Sequence, residues 1–438
     1  MTSAAAAMKA LVLHSGQVLF VRILGAALGF VFQVYLARLL GAQGAGVIAI
    51  ALTSLIVGSV IARVGSDVLA LRTAATLVER QEWARLADFE KRIAGVVGSI
   101  ALILAGAGAW LGPALSEAVF SDPALEGPWM IIALALPPYS LIVLYGELMK
   151  GAQRHKLAAV FQGAAIPFAS ILGLVVFLPE QPAPITAAKI YACAVWIVAV
   201  VQLVCWRMTV VQLRRMLPER SGSGRITLST EPVYRTLLPL YGASLAAITM
   251  AWTDLLLLGV WRSASEVGLY NAATRMAMLT GFVLMAVNSI VAPRFAAAQT
   301  RGSERDMMQT ARQAALLCTG ATLPAILIFA LVGDKLLSLF GAEFTGAYLA
   351  LVVLSLGQLA NAVTGPVGYL LNMTGHHRIE ALISIASAFL NLILCIACIP
   401  RYGLLGAAFA SAGALTVCNL IRLVAVRRHL GWWACPRL

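Results

Sequence analysis

The sequence predicts an all-α integral membrane protein, with about 12 transmembrane helices in two pseudo-symmetric six-helix bundles around a central cavity. Three observations lead there. The chain is 61% hydrophobic and only 12% charged, where soluble domains run at roughly 45–50% and about 25%. Apolar stretches of the roughly 20 residues needed to cross a bilayer recur from one end to the other. The chain also echoes itself. Gly46 to Arg72 and Gly268 to Arg294 enclose long apolar runs over the same interval of about 26 residues, as an internal repeat does.

Taken in order, the first half holds spans at 15–37, 46–71, 93–112, 128–149, 157–178 and 185–206. Lys9 ahead of an apolar run imitates a signal peptide. Arg22 interrupts the run and the pattern continues to Leu40, so it reads as an uncleaved first span. Gly41 to Gly46 forms the tight turn into the second span. In Arg72–Arg92, Leu77, Trp83, Leu86 and Phe89 alternate with Arg and Glu, the pattern of a helix lying on the membrane surface or of a solvated loop. The second half holds spans at 236–260, 267–292, 313–332, 345–371, 379–399 and 403–426. Between the halves Arg207–Pro232 is basic and then Ser-Gly-Ser-Gly, a solvated connector. The expected organisation is a bundle over 1–206, a cytoplasmic linker over 207–235 and a second bundle over 236–438.

The repeat reaches further. Leu148–Gln162 resembles Leu371–Ser384, with Gly151 and Arg154 matching Gly375 and Arg378 at one offset; the spans that follow end at Pro179 and Pro400. An even number of spans per half inserts both halves in the same orientation, related by an axis along the membrane normal. A cleft between such halves is a natural place for a substrate.

A net charge of +13 could suggest a nucleic-acid partner. In a membrane chain it expresses the positive-inside bias instead, and no nucleic acid is expected. With the N-terminus inside, most of the 32 Lys and Arg fall on the cytoplasmic face. They include Arg80, Arg85, Lys91 and Arg92, then Lys150, Arg154 and Lys156, then Arg214, Arg215, Arg220 and Arg225. Arg301, Arg305, Arg312, Arg427 and Arg428 complete the set. Both termini are therefore expected in the cytoplasm.

Enzyme signatures are lacking: there is no Walker P-loop, no H-E-x-x-H and no G-x-S-x-G. No cofactor or metal is expected. The seven cysteines lie mostly in apolar runs, and Cys395 and Cys398 form a C-x-x-C inside a span with no second ligand pair nearby. A membrane glycosyltransferase or ligase would need catalytic carboxylates at the outer face. The sparse acids there, Glu117, Asp122 and Glu126, share one short loop.

Charges within the spans remain. An ionisable group there costs at least about 2.5 kcal/mol and faces a cavity or a partner. Arg22 lies roughly 10 Å and Arg63 roughly 12 Å from the inner edge at 1.5 Å per residue. Asp67 is one turn beyond Arg63 and can pair with it. Asp254 and Arg275 lie at similar depths from the outer edge, and Asn288 accompanies Arg275 in its span. Each ion pair either holds helices together or serves transport; Asp67 and Asp254 are candidates for ion pairing or proton coupling. Three cations against two acids leave a net-positive interior suited to an anion such as a pyrophosphate. Pro137-Pro138, Pro167, Pro324 and Gly365-Pro366 mark places where spans can bend.

The stretches ARLLGAQGAGVIAIA, GSDVLALR, DLLLLGVWRSASEVGLYNAATRMAML, APRF and YLLNMTGHHR resemble polysaccharide export flippases of the multidrug/oligosaccharidyl-lipid/polysaccharide exporter superfamily. The resemblance covers nearly the whole chain. It implies a flippase that moves undecaprenyl-pyrophosphate-linked oligosaccharide from the inner to the outer leaflet of the bacterial inner membrane by alternating access. Surface polysaccharide (O-antigen, exopolysaccharide or capsule) would be the product, with a polymerase and glycosyltransferases as possible partners. It further implies substrate-binding cavity arginines in the first, second and eighth spans, which Arg22, Arg63 and Arg275 occupy. Within the same superfamily a drug or metabolite antiporter is the alternative.

The charge bias predicts a topology that reporter fusions can check. Alkaline phosphatase fused after Ser121 is expected to be active and fused after Gly222 inactive; the reverse pattern would invert the orientation.

Overall fold

The computed structural model describes residues 2–177, 183–216, 230–282 and 303–434, with 284, 285, 287, 291, 294, 295, 298 and 301 between; side chains are described outside 2–15, 230–240 and 243. Asn288, Pro179, Pro293, Arg220 and Arg225 lie outside the described residues. The protein is nearly all helix. Among the described residues, eight helices are long and apolar enough to cross a membrane, nine if one bent pair counts as a single span. The chain divides into two compact units. One comprises Met1–Leu40 and Ala51–Leu245, the other Gly41–Ile50 and Ala246–Leu438.

In the first unit, α1 (Thr2–Arg63) carries two predicted spans in one helix that breaks at Gly41, with φ 67° and ψ −177°. After α2 (Ser66–Glu79) and α3 (Trp83–Ala118) come α4 (Glu126–Ala133) and α5 (Leu136–Gly151), which meet at 48° just before Pro137-Pro138. The short α6 (His155–Ala159) runs through a π-helical turn, Val160–Ala164, into α7 (Ala165–Val176), and α8 (Pro184–Met216) follows. Helix α8 continues through Arg207 to Met216, so the first part of the expected linker is an extension of a span; 217–229 lie outside the described residues.

The expectation for Arg72–Arg92 is corrected. The segment is neither a surface helix nor a solvated loop but the end of α2, a turn through Gln81 at φ 61°, and the start of α3. Leu77, Trp83, Leu86 and Phe89 are all buried within the protein. Their near-helical spacing reflects burial against neighbouring helices, which produces the same periodicity as burial in a lipid headgroup layer.

The second unit contains most of α9 (Thr230–Trp261), then α10 (Ala264–Met278), α11 (Glu304–Leu337), α12 (Tyr348–Thr364), α13 (Val367–Met373) and α14 (His377–Leu430). Gly365 (φ 66°) and Pro366 separate α12 from α13. Helix α14 carries the last two predicted spans and breaks at Gly403, with φ 55° and ψ −131°. Pro324 sits inside α11, yet the non-helical residue there is Val332, two turns later.

The echo seen in the sequence has a structural counterpart. Gly46 packs on Ala264 and Gly268, and Gly268 packs on Ala42 and Gly46. Each glycine meets the carbonyl of the residue four positions before its counterpart. Such reciprocity is what a local two-fold relation between repeats produces. A Cβ on Gly46 would lie 1.7 Å from the Ala264 carbonyl oxygen, and one on Gly268 2.0 Å from that of Ala42. Both obstacles are backbone, which cannot swing aside as a side chain can.

Gly46→Ala and Gly268→Ala are each expected to destabilise the fold by more than the usual overpacking cost of about 1–3 kcal/mol. Fluorescence-detected size exclusion of detergent extracts reads this as loss of the monodisperse peak. Wild-type peaks for both variants would show that the helices part easily at this crossing.

Candidate functional site

Arg63 is the last residue of α1, and the backbone turns immediately after it. Val64 has φ 45° and Gly65 φ 72°. A β-branched residue in that region is strained by about 1–3 kcal/mol and persists only where its surroundings hold it. The hold is visible. Arg63 is 7% exposed, its Nε donates to both carboxylate oxygens of Asp67 at 2.8 and 3.1 Å, and its Nη1 donates to Ser59 Oγ. The ion pair thus staples α1 to α2 across the break. Asp67 is a third exposed, so the pair meets the surface of its unit through the carboxylate. Arg22, on α1, is exposed.

Asp254, in α9, is 5% exposed. Depth in the span pointed to Arg275 as its partner; the bonds shown run elsewhere. Tyr270 Oη and Ser411 Oγ (2.6 Å) both donate to Oδ2, and the Leu255 amide donates to Oδ1 at 2.8 Å. Three helices, α9, α10 and α14, therefore meet at one carboxylate. The hydroxyls replace part of its lost hydration without supplying a charge, so Asp254 is a carboxylate solvated by dipoles. In the same helix as Ser411, Cys395 Sγ donates to Asn391 Oδ1 at 3.8 Å. The Arg275 guanidinium stacks over the Trp252 ring, 5.4 Å from its centroid. That cation–π contact offsets some of the cost of holding a cation between helices.

Sequence reasoning did not pick out two further buried acids, Glu90 and Glu380, while Glu147, which the sequence places at an interface beside Lys150, is partly buried. Glu90 accepts from Tyr145 Oη at 2.9 Å and pairs with Arg207 at 3.0 Å, joining α3, α5 and α8. Glu380 takes Arg422 in a two-bond fork and also bonds Ser384, tying the start of α14 to its end. Glu147 accepts from Lys150 (2.7 Å) and Gln162 (3.1 Å) at the end of α5. Glu90 and Glu380 sit at span ends beside basic residues, where sequence alone reads a wet interface. Their burial comes from helices that are distant in the chain.

Two more carboxylates act on backbone. Glu343 Oε1 accepts the Ala42 amide at 2.8 Å, just after the break at Gly41. Glu266 Oε2 accepts the Leu404 amide at 3.1 Å, just after the break at Gly403. Each cap satisfies an amide that the helix break leaves without an intrahelical carbonyl, and places negative charge at a helix N-terminus. Arg262 Nη2 donates to the Pro400 carbonyl at 2.9 Å, on the other side of the same break.

A family profile described as "Polysaccharide biosynthesis protein" matches residues 15–299, and a second, MatE, matches residues 239–397. Two relatives come from Haloferax volcanii. The chain is 25% identical over 171 residues to a probable low-salt glycan biosynthesis flippase, Agl15, and 26% identical over 192 residues to a probable flippase, AglR. Those matches cover 39% and 42% of this chain, but only 36% and 39% of the relatives' own length. Among solved structures, the lipid II flippase MurJ in an inward closed conformation aligns with a TM-score of 0.74 at 14% identity, over 95% of this chain and 87% of that one. An inward-facing multidrug transporter of the MATE family aligns at 0.68 with 12% identity, over 94% and 98%. At such identities the likeness is one of fold: multi-pass, all-helical, in two bundles.

Proposed function

This chain belongs to the polysaccharide biosynthesis protein family, and from that premise we propose that it is a flippase for a lipid-linked oligosaccharide. The carrier is undecaprenyl pyrophosphate and the route runs from the cytoplasmic to the outer leaflet of a bacterial inner membrane, with both termini in the cytoplasm. The exported glycan feeds a surface polysaccharide, made with glycosyltransferases and a polymerase. The protein acts by alternating access, without covalent chemistry.

The observation that supports this reading is the presence of guanidinium groups held within apolar helices of both units: Arg63 in its staple and Arg275 over Trp252. A pyrophosphate enters a low-dielectric passage only with charge compensation, and guanidinium forks match phosphate oxygens in pairs. In this proposal Arg22, Arg63 and Arg275 receive the pyrophosphate. Asp67 holds Arg63 ready and releases it as the phosphate arrives. Asp254 takes up a proton during the cycle, since two hydroxyls can rotate to serve either a carboxylate or a carboxylic acid.

A drug-exporting carrier is the second reading, favoured by the MatE profile match over residues 239–397. Uptake of lipophilic cations into vesicles, with no rescue of surface polysaccharide, would select it.

Complementation of surface polysaccharide in a flippase-null strain, with membrane levels checked by blot, tests the arginines. Arg275→Lys is expected to be impaired and Arg275→Ala worse, by about 10-fold or more, because lysine keeps the charge and loses the fork. Wild-type export by Arg275→Ala, or rescue in an Asp254→Ala/Arg275→Ala double variant, would show that Arg275 serves only as a structural charge.

Coupling is tested separately in vesicles with an imposed proton gradient. Asp254→Asn is expected to lose the dependence of transport on the gradient. A variant that responds to the gradient as wild type does would place coupling elsewhere.

A further inference from the structure

The inner end of the last helix carries a surface that contains none of the residues assigned to transport in the proposed function. Val417, Leu420, Ile421 and Val424 are all exposed and recur at helical spacing along one face of α14. One turn beyond Val424 the same face presents Arg427 and Arg428, both exposed. The helix then stops at Gly431 (φ 79°), and the chain folds back. Arg427 stacks on the Trp433 ring at 4.6 Å, the Trp433 carbonyl accepts from Arg312 Nε at 3.4 Å, and Ala434 is buried in the unit's apolar cluster with Trp432 packed against it. The turn is anchored, and it holds the Arg427 guanidinium by its face.

We propose that this collar is a binding site for an anionic phospholipid, with an acyl chain along Val417–Val424 and the headgroup phosphate on Arg427 and Arg428. Three features point to a lipid and not to an acidic protein segment. The apolar stripe runs into the two arginines without a polar gap, so a ligand that reaches both must be amphipathic. The step from Val424 to Arg428 is one helical turn, about 5–6 Å, the scale on which hydrocarbon gives way to headgroup. The tryptophans sit at that boundary, where their amphipathic rings are favoured. Two acids on neighbouring elements are engaged, Glu380 with Arg422 and Asp306 with Arg301. His429 adds to the patch, its ring against that of His376 at 4.8 Å. Arg214 and Arg215, exposed at the end of α8, are a second pair of basic residues at a helix end and serve as the comparison.

Native mass spectrometry of the full chain in mild detergent, titrated with phosphatidylglycerol or phosphatidylcholine, tests the site. Phosphatidylglycerol occupancy is expected to exceed phosphatidylcholine several-fold, and Arg427→Gln/Arg428→Gln to erase the difference. Arg214→Gln/Arg215→Gln should preserve it. Trp433→Leu keeps both charges but removes the stack, and should lower the preference partway; it also decides the matter if the double arginine variant does not fold. Equal occupancy by the two lipids in wild type overturns the proposal, as does an equal loss in the Arg214/Arg215 variant. Displacement of phosphatidylglycerol by millimolar inorganic phosphate would assign a free anion instead, and displacement by polyglutamate an acidic protein; either result overturns the lipid assignment.

Discussion

A helix break leaves a backbone amide without its intrahelical carbonyl, and two of the breaks in these helices meet that need with a carboxylate. The two long helices that carry four predicted spans show how this is done. Each breaks at a glycine with positive φ, Gly41 or Gly403, and the first amide beyond the break goes to a carboxylate from elsewhere in the second unit. Glu343 and Glu266 are thus fixed by a backbone need. The partial positive charge of a helix N-terminus favours a carboxylate at each place. Where the break is followed by strain, as at Val64, the compensation comes from the Arg63–Asp67 staple that spans it.

Burial shapes the side-chain chemistry further inside. Glu90, Asp254 and Glu380 are buried, and each draws donors from more than one segment. Glu90 and Glu380 are given a guanidinium. Asp254 is given hydroxyls. A carboxylate held by a cation is locked in one charge state, whereas one held by hydroxyls can exchange a proton without breaking up its surroundings. That difference separates the acids that tie helices together from the one that takes up a proton in the proposed function.

The internal repeat supports both. Gly46 and Gly268 cross with reciprocal contacts so close that only glycine fits at either. A crossing between counterpart residues of two repeats lies where the local symmetry demands that the same backbone meet itself. Small residues there let the helices approach to backbone distance, which is how membrane helices gain packing energy without a hydrophobic effect between them.

The sequence by itself determined the class, the approximate spans, the repeat and the location of Arg22, Arg63 and Arg275 within apolar runs. These are properties of hydropathy and spacing along the chain, and Arg63 with Asp67 was legible because the partners are four residues apart. Tertiary structure decided the rest. Ser411 reaches Asp254 from 157 positions away, and Glu343 reaches Ala42 from 301. Arg72–Arg92 gave the periodicity of burial without saying what covers it, and packing within the first unit, not lipid, turned out to do so. A local pattern records that a face is hidden or a charge is compensated. Which group does the hiding or compensating depends on helices brought together by the fold, and no spacing along one helix encodes that.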